Sequence, residues 1–286
     1  MNQLQQIQFD MLCELTRVCN ELDLRYFLVC GSALGAVKYK GFIPWDDDID
    51  VGMPRRDYEI FIEAAMTMLP ANLFLQNFHT EVNFPQIFSK IRNISTTFIE
   101  ASVSRLDICH GVYIDVFPLD EYPAAKTQQL RIEIRKRLLM GKLSTAFCSP
   151  KSGRAAVWGV LGKMCHYEHR LSEISSELER SLLSWKGLPS NLICNHGNWQ
   201  GKLEYAPYEQ YGKGAWATFE GLRVRVPEKY DEYLTQKYGD WRTELPKEQQ
   251  TGHHFAQVVD LCHPYTDYIE KLSDGRIRVR KSDGLN

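Results

Sequence analysis

The chain has 286 residues, 44% of them hydrophobic and 24% charged, with a formal net charge of −2. That is enough for one large domain or two small ones around a buried core, and the charge balance argues against a nucleic-acid-binding protein. No apolar run approaches the roughly 18 to 20 residues of a membrane span, and MNQLQQIQFD lacks the layout of a signal peptide, so a cytoplasmic location is expected.

Leu4, Ile7, Met11, Leu15, Val18 and Leu22 recur at steps of three and four, which predicts an amphipathic helix. RYFLVCGS is a short apolar run ending in Gly31-Ser32, a buried strand entering a tight turn. ALGAVKY forms a brief helix after that turn, GFIPW is a loop held by Gly41 and Pro44, and residues 49–53 alternate as a second strand closed by Pro54. Tyr58, Phe61, Ile62, Ala65 and Leu69 line one face of the next helix, and segments 73–78, 86–92, 97–99 and 112–117 read as strands. Residues 1–123 are therefore a mixed α/β core. Residues 124–190 lose the strand signal and read as two or three helices broken near 148–153, a helical insertion or lobe. Residues 191–286, rich in Gly, Tyr and Trp, complete the domain with a hairpin at WATFEGLRVRVP and a short helix over 228–238.

Within 126–170 basic residues outnumber acidic ones ten to two. Such a stretch fits either an anionic partner at the inner membrane face or a solvated helix face. The eight cysteines are scattered without CxxC spacing and read as reduced thiols. Cys165, His166, His169, Cys194 and His196 lack the spacing of a zinc finger, and His253-His254 carries no assignment. The absence of GxxxxGK[ST], GxGxxG and GxSxG removes support for P-loop, dinucleotide and α/β-hydrolase chemistry.

The informative constellation is acidic. Asp48 and Asp50 flank Ile49 at the start of a strand, whose period of two places both carboxylates on one face. Carboxylates that close repel unless a cation lies between them, and hard oxygen ligands suit magnesium or manganese. Asp115 sits inside the apolar strand GVYIDVFPLD, where an unpaired charge is costly. If the two strands adjoin, three carboxylates converge and can hold two metals about 4 Å apart, the arrangement used for in-line displacement at phosphorus. Gly31-Ser32 offers backbone N–H groups and a hydroxyl to a phosphate. Asp46 and Asp47 precede the strand and shape the loop; an acidic loop capping the following helix is the structural alternative. Tyr230, Tyr233 and Tyr238 read as packing residues bordering a pocket.

Gly-Ser at a strand end, a loop, and then Asp-apolar-Asp on a strand resembles the nucleotidyltransferase fold of the polymerase-beta-like superfamily. The stretch FLVCGSALGAVKYKGFIPWDDDIDVGMPRRDYEIF resembles the signature of the LicD family, whose members transfer phosphocholine or related phosphorylated alcohols onto glycans. FSKIRNISTTF with GVYIDVFPLD, and FEGLRVRVPEKYDEYLTQKYGDW near the C-terminus, resemble that family too, whereas residues 124–190 do not. The resemblance implies an α+β fold, a mixed sheet flanked by helices with a helical insertion. It implies Asp48, Asp50 and Asp115 as catalytic carboxylates holding two Mg2+ or Mn2+ ions. Gly31, Ser32 and Lys38 would contact the donor, and Lys90 and Arg92, two apart on one strand, would neutralise its diphosphate. The implied reaction moves phosphocholine from CDP-choline, or another CDP-alcohol, to a glycan hydroxyl of a lipid-linked polysaccharide, teichoic acid or lipopolysaccharide precursor. A nucleotidyltransferase releasing pyrophosphate and a non-catalytic glycan-binding scaffold stay open as alternatives.

Overall fold

The computed structural model describes residues 1–147, 164–185, 190–197, 201–252 and 255–280. Helix α1 (Gln3–Glu21) begins in a reciprocal capping box, with Asn2 accepting from Gln5 N at 2.8 Å and the Gln5 side chain accepting from Asn2 N at 3.0 Å. It turns Met11, Leu12, Leu15, Val18 and Cys19 into the core, as the spacing of its apolar residues requires.

The central sheet runs in the order β1 (Phe27–Leu28), β2 (Asp50–Pro54), β6 (Val112–Tyr122), β4 (Ser89–Asn93) and β3 (Leu73–Gln76). Only the β2–β6 pair is parallel; the other neighbours on this path are antiparallel. The second half of β6 pairs with β7 (Leu192–Asn195), which pairs with β8 (Tyr205–Pro207), so the C-terminal third of the chain extends the same sheet. With α1 and α3 (Arg55–Met68) packed against β6, this is the α+β architecture expected from the sequence.

Two local features differ from the sequence reading. Strand β1 has only two residues, and α2 (Cys30–Leu34) starts at Cys30, so Gly31 and Ser32 lie within its first turn instead of preceding it. The chain then continues through a wide helical turn at Gly35–Tyr39 and ends at Lys40, whose φ is +58°. This tight return depends on Gly35, because a Cβ there would stand 2.4 Å from the Gly41 carbonyl oxygen.

Helices α4 (Lys126–Leu143) and α5 (Leu171–Leu183) pack on each other around Ile132, Leu139, Leu143, Ile174 and Leu178, a second core that meets the sheet through Tyr122 and Cys194. The helix break read near 148–153 lies outside the described residues, as does His253-His254. The hairpin β9 (Ala215–Phe219) to β10 (Leu222–Val226) turns at Glu220 and Gly221, both at positive φ, the geometry that matches the twist of the strands. After α6 (Tyr208–Tyr211), which precedes this hairpin, and α7 (Tyr230–Tyr238), which follows it, β11 (Ala256–Asp260) pairs with β5 (Thr97–Glu100). A last hairpin joins β12 (Ile269–Lys271) and β13 (Ile277–Val279). Among the described residues the cysteines are free thiols, and no helix is long and apolar enough to cross a membrane.

His110 enters β6 fully buried, with Nε2 3.0 Å from the Leu106 carbonyl. Burial, and next the charge of Arg92, push its pKa from 6.5 down to about 4. The unfolded chain therefore takes up a proton near pH 6.5 that the folded protein refuses until about pH 4. Stability fully present above that window falls as pH drops through it, by on the order of 3 kcal/mol for this residue. His110→Gln, which keeps an N–H for Leu106 but does not titrate, is expected to lose less stability than wild type between pH 7 and pH 4.5 in urea unfolding. Equal losses in both proteins would rule out His110 as the source.

Candidate active site

The parallel register of β2 and β6 sets Asp50 directly opposite Asp115, so the two side chains share one face of the sheet. The backbone of that row is fixed from three directions. Asp50 N donates to Ser32 Oγ at 2.8 Å, Val29 N donates to Asp50 O at 3.0 Å, and Asp115 N donates to Ile49 O at 2.8 Å. Just before the strand, Asp46, Asp47 and Asp48 each bring a carboxylate oxygen within 4.8 Å of the others. Burial, then the neighbouring charges of Asp48, Asp115 and Asp46, hold the Asp50 carboxyl well above the usual carboxylate range.

The acidic loop is seated from below by residues that the sequence reading did not single out. Gln5 Nε2 donates to Asp46 O at 3.1 Å, and the fully buried Gln8 donates to Asp47 O at 2.7 Å and Tyr113 O at 3.2 Å. The signal was present, because Gln8 occupies the apolar stripe of α1, three before Met11, where a polar side chain needs a reason. Gly31 provides close approach: a Cβ there would lie 2.7 Å from Asp46 Oδ2.

Behind Asp115 stands an alternating stack of charge. Lys90 Nζ is 3.1 Å from Asp115 Oδ1 and 3.6 Å from Glu100 Oε2. Arg92, fully buried, donates to Gln76 Oε1 at 2.7 Å, to Gly111 O at 2.8 Å and to Glu100 Oε2 at 2.9 Å. Both cations border the Tyr113 ring, at 3.3 Å and 4.5 Å from its centroid. Lys90 and Arg92 thus share a face of β4, as their spacing requires, but both are turned on Glu100, and Arg92 buttresses that acid from inside the protein.

Gly31, Lys38, Asp46, Asp48 and Asp50 line a cavity of about 300 Å³. Tyr39, Trp45, Tyr238, Asp240 and Trp241 form much of the remainder. Lys38 ties itself to the segment that carries Trp241, its ammonium 3.1 Å from Trp241 O, 3.2 Å from Thr243 O and 3.2 Å from Glu244 Oε1. Tyr39 adds a 2.7 Å bond to Glu244. Ser32, Lys90, Arg92 and Asp115, expected at the site from the sequence, are not among the residues that line it. Tyr233 meets the backbone of the site, its hydroxyl accepting from Cys30 N at 2.9 Å.

The central parallel pair of a mixed sheet thus carries facing carboxylates, of which Asp50 lines the cavity. Residues 23–140 match the family model described as LicD/FKTN/FKRP, nucleotidyltransferase domain. This part of the chain is a LicD-family domain. Over 259 residues, 85% of this chain and 92% of the other, the sequence is 26% identical to the lipopolysaccharide cholinephosphotransferase LicD of Haemophilus influenzae. Over 116 residues, 40% of each chain, it is 21% identical to an uncharacterized protein of Rickettsia prowazekii.

Gln8→Leu keeps the volume of the side chain but strands two buried carbonyls. It is expected to lower unfolding stability by about 1–3 kcal/mol and, by loosening the acidic loop, to reduce turnover. Gln6→Leu on the exposed face of α1 is the control. Equal stability and activity in the two variants would show that Gln8 does not hold the loop.

Proposed function

We propose that this protein is a metal-dependent phosphotransferase that moves a phosphorylated alcohol, phosphocholine, from a CDP-activated donor to a hydroxyl of a cell-surface glycan. The observation that carries this reading is the composition of the cavity. The carboxylates of Asp46, Asp48 and Asp50 and the aromatic residues Tyr39, Trp45, Tyr238 and Trp241 line the same cavity. Aromatic faces and carboxylates together recognise a quaternary ammonium, whose positive charge is spread over methyl groups and binds water weakly. The similarity to a lipopolysaccharide cholinephosphotransferase supports the same cargo.

The donor set fits a hard divalent cation. Asp48, Asp50 and Asp115 offer only oxygen, and Asp50 is crowded by carboxylates whose repulsion a cation would relieve. Magnesium or manganese bound there would offset the charge of the diphosphate and polarise its oxygens. The protein's own part is positioning. Ser32 and Val29 hold Asp50 by its backbone, Lys90 faces Asp115 from behind, and Lys38 closes the far wall over the donor. The acceptor oxygen forms its bond to the phosphorus bearing the alcohol as the bond to cytidine monophosphate breaks. The acceptor's proton passes to a carboxylate of the cluster.

Asp48→Asn and Asp50→Asn preserve side-chain volume and are each expected to lower turnover at least about 10²-fold, with circular dichroism unchanged. Near wild-type rates in either variant, or full activity in excess EDTA, would remove the metal assignment. The chemistry is read from the released nucleotide when the protein is incubated with a glycan acceptor and either CDP-choline or nucleoside triphosphates. Cytidine monophosphate appearing in step with acceptor modification is the expected result. Pyrophosphate from a triphosphate, with CDP-choline untouched, would establish nucleotidyl transfer instead.

A further inference from the structure

Helix α4 is apolar on two opposite faces. At about 100° per residue, the buried Ile132, Leu139 and Leu143 point into the second core. Leu130, Ile134 and Leu138, spaced four apart, lie about 180° around the helix from them and are 61%, 52% and 52% exposed. Three large aliphatic side chains in one line form a ridge that the packing of the described residues does not explain. Single exposed leucines are ordinary; a row of three along two turns is not.

Charge flanks the ridge on both sides. Lys126 and Arg137 project along one edge and Arg131 and Arg135 along the other, all exposed. Glu133, the acid of this helix, is turned toward the sheet, where the Tyr122 and Tyr205 hydroxyls donate to it. Among the described residues Glu177 of α5 stands 3.2 Å from Arg135. Lys136 does not join the cationic edge, because it is buried between the lobe and the sheet. An aliphatic ridge between two cationic edges is the pattern of a helix lying in the plane of a bilayer interface. The aliphatic side chains enter the acyl boundary while the arginines meet lipid phosphates.

We propose that the outer face of α4 docks the protein on an anionic lipid bilayer. Charge complementarity selects this occupant: a second copy of the chain would have to set one pair of cationic edges against another. The reading is independent of the reaction proposed for the cavity, because Leu130, Ile134 and Leu138 take no part in it.

The test is flotation of the full chain with vesicles of phosphatidylcholine alone or with about one-third phosphatidylglycerol, at low and high salt. Wild type is expected to float with the anionic vesicles, less at high salt, and to remain behind with the neutral ones. Leu130→Gln/Ile134→Gln/Leu138→Gln removes the ridge without touching the core and should lower the partition coefficient about ten-fold or more. Arg131→Gln/Arg137→Gln should lower it on anionic vesicles and weaken its salt dependence. Light scattering on the same samples separates the rival occupant. A wild-type dimer that the triple variant converts to monomer, with no vesicle binding by either, would overturn the proposal in favour of self-association. Equal flotation of wild type and the triple variant would overturn it outright.

Discussion

Like charge forced together governs this structure. Asp50 and Asp115 face each other on the parallel pair of strands, and Asp46 and Asp48 crowd the same end of the row. Carboxylates left to themselves would spread apart, so the surrounding chain has to supply the restraint. It does so through backbone groups, which cannot swing away as side chains can. The Ser32 hydroxyl, Val29 N and Asp115 N fix the strand row, and Gln5 and Gln8 fix the carbonyls of the loop. The carboxylates are therefore held together by the fold itself, and the proton that Asp50 retains to an unusually high pH is one way in which their repulsion is eased.

Compensation for that charge is arranged in depth. Behind the acids come Lys90, then Glu100, then Arg92, with the Tyr113 ring against both cations. Each member is neutralised by the next, so removing one would leave a buried charge facing the others. This accounts for an arginine with no exposure in a strand of the central sheet. Arg92 keeps Glu100 in place, Glu100 keeps Lys90 in place, and Lys90 faces Asp115.

The sequence made part of this legible, and the limits are physical. Alternation around Ile49 and the isolated acid in GVYIDVFPLD were enough to bring Asp48, Asp50 and Asp115 into one argument, because strand periodicity is local and their adjacency needs only one strand pairing. The period of three and four gave α1 and α3, and the hairpin that turns at Glu220-Gly221 was legible in WATFEGLRVRVP. Long-range pairing was invisible. Nothing in the short segment before Asp260 announces that β11 would pair with β5, more than 150 positions away. Spacing put Lys90 and Arg92 on one face, but only the neighbouring Glu100 decides where their charges point. The aromatic side of the cavity was the least accessible, since Tyr39, Trp45 and Trp241 meet only after both ends of the chain have folded.

That late meeting separates two parts of the site by their mechanical character. The acidic side is built into the central sheet and tied by buried backbone bonds. The segment 238–245 is held across the cavity by Lys38 and Tyr39, through two backbone carbonyls and the half-exposed Glu244. That segment also carries Trp241, which packs into the main core, so it is anchored in its middle as well as through Lys38. Residues 23–140 carry Asp46, Asp48 and Asp50 together with Tyr39 and Trp45, whereas Tyr238, Asp240 and Trp241 come from beyond the matched stretch. The cavity is thus completed by chain outside that stretch, and its shape can vary there while the carboxylates stay where the sheet puts them.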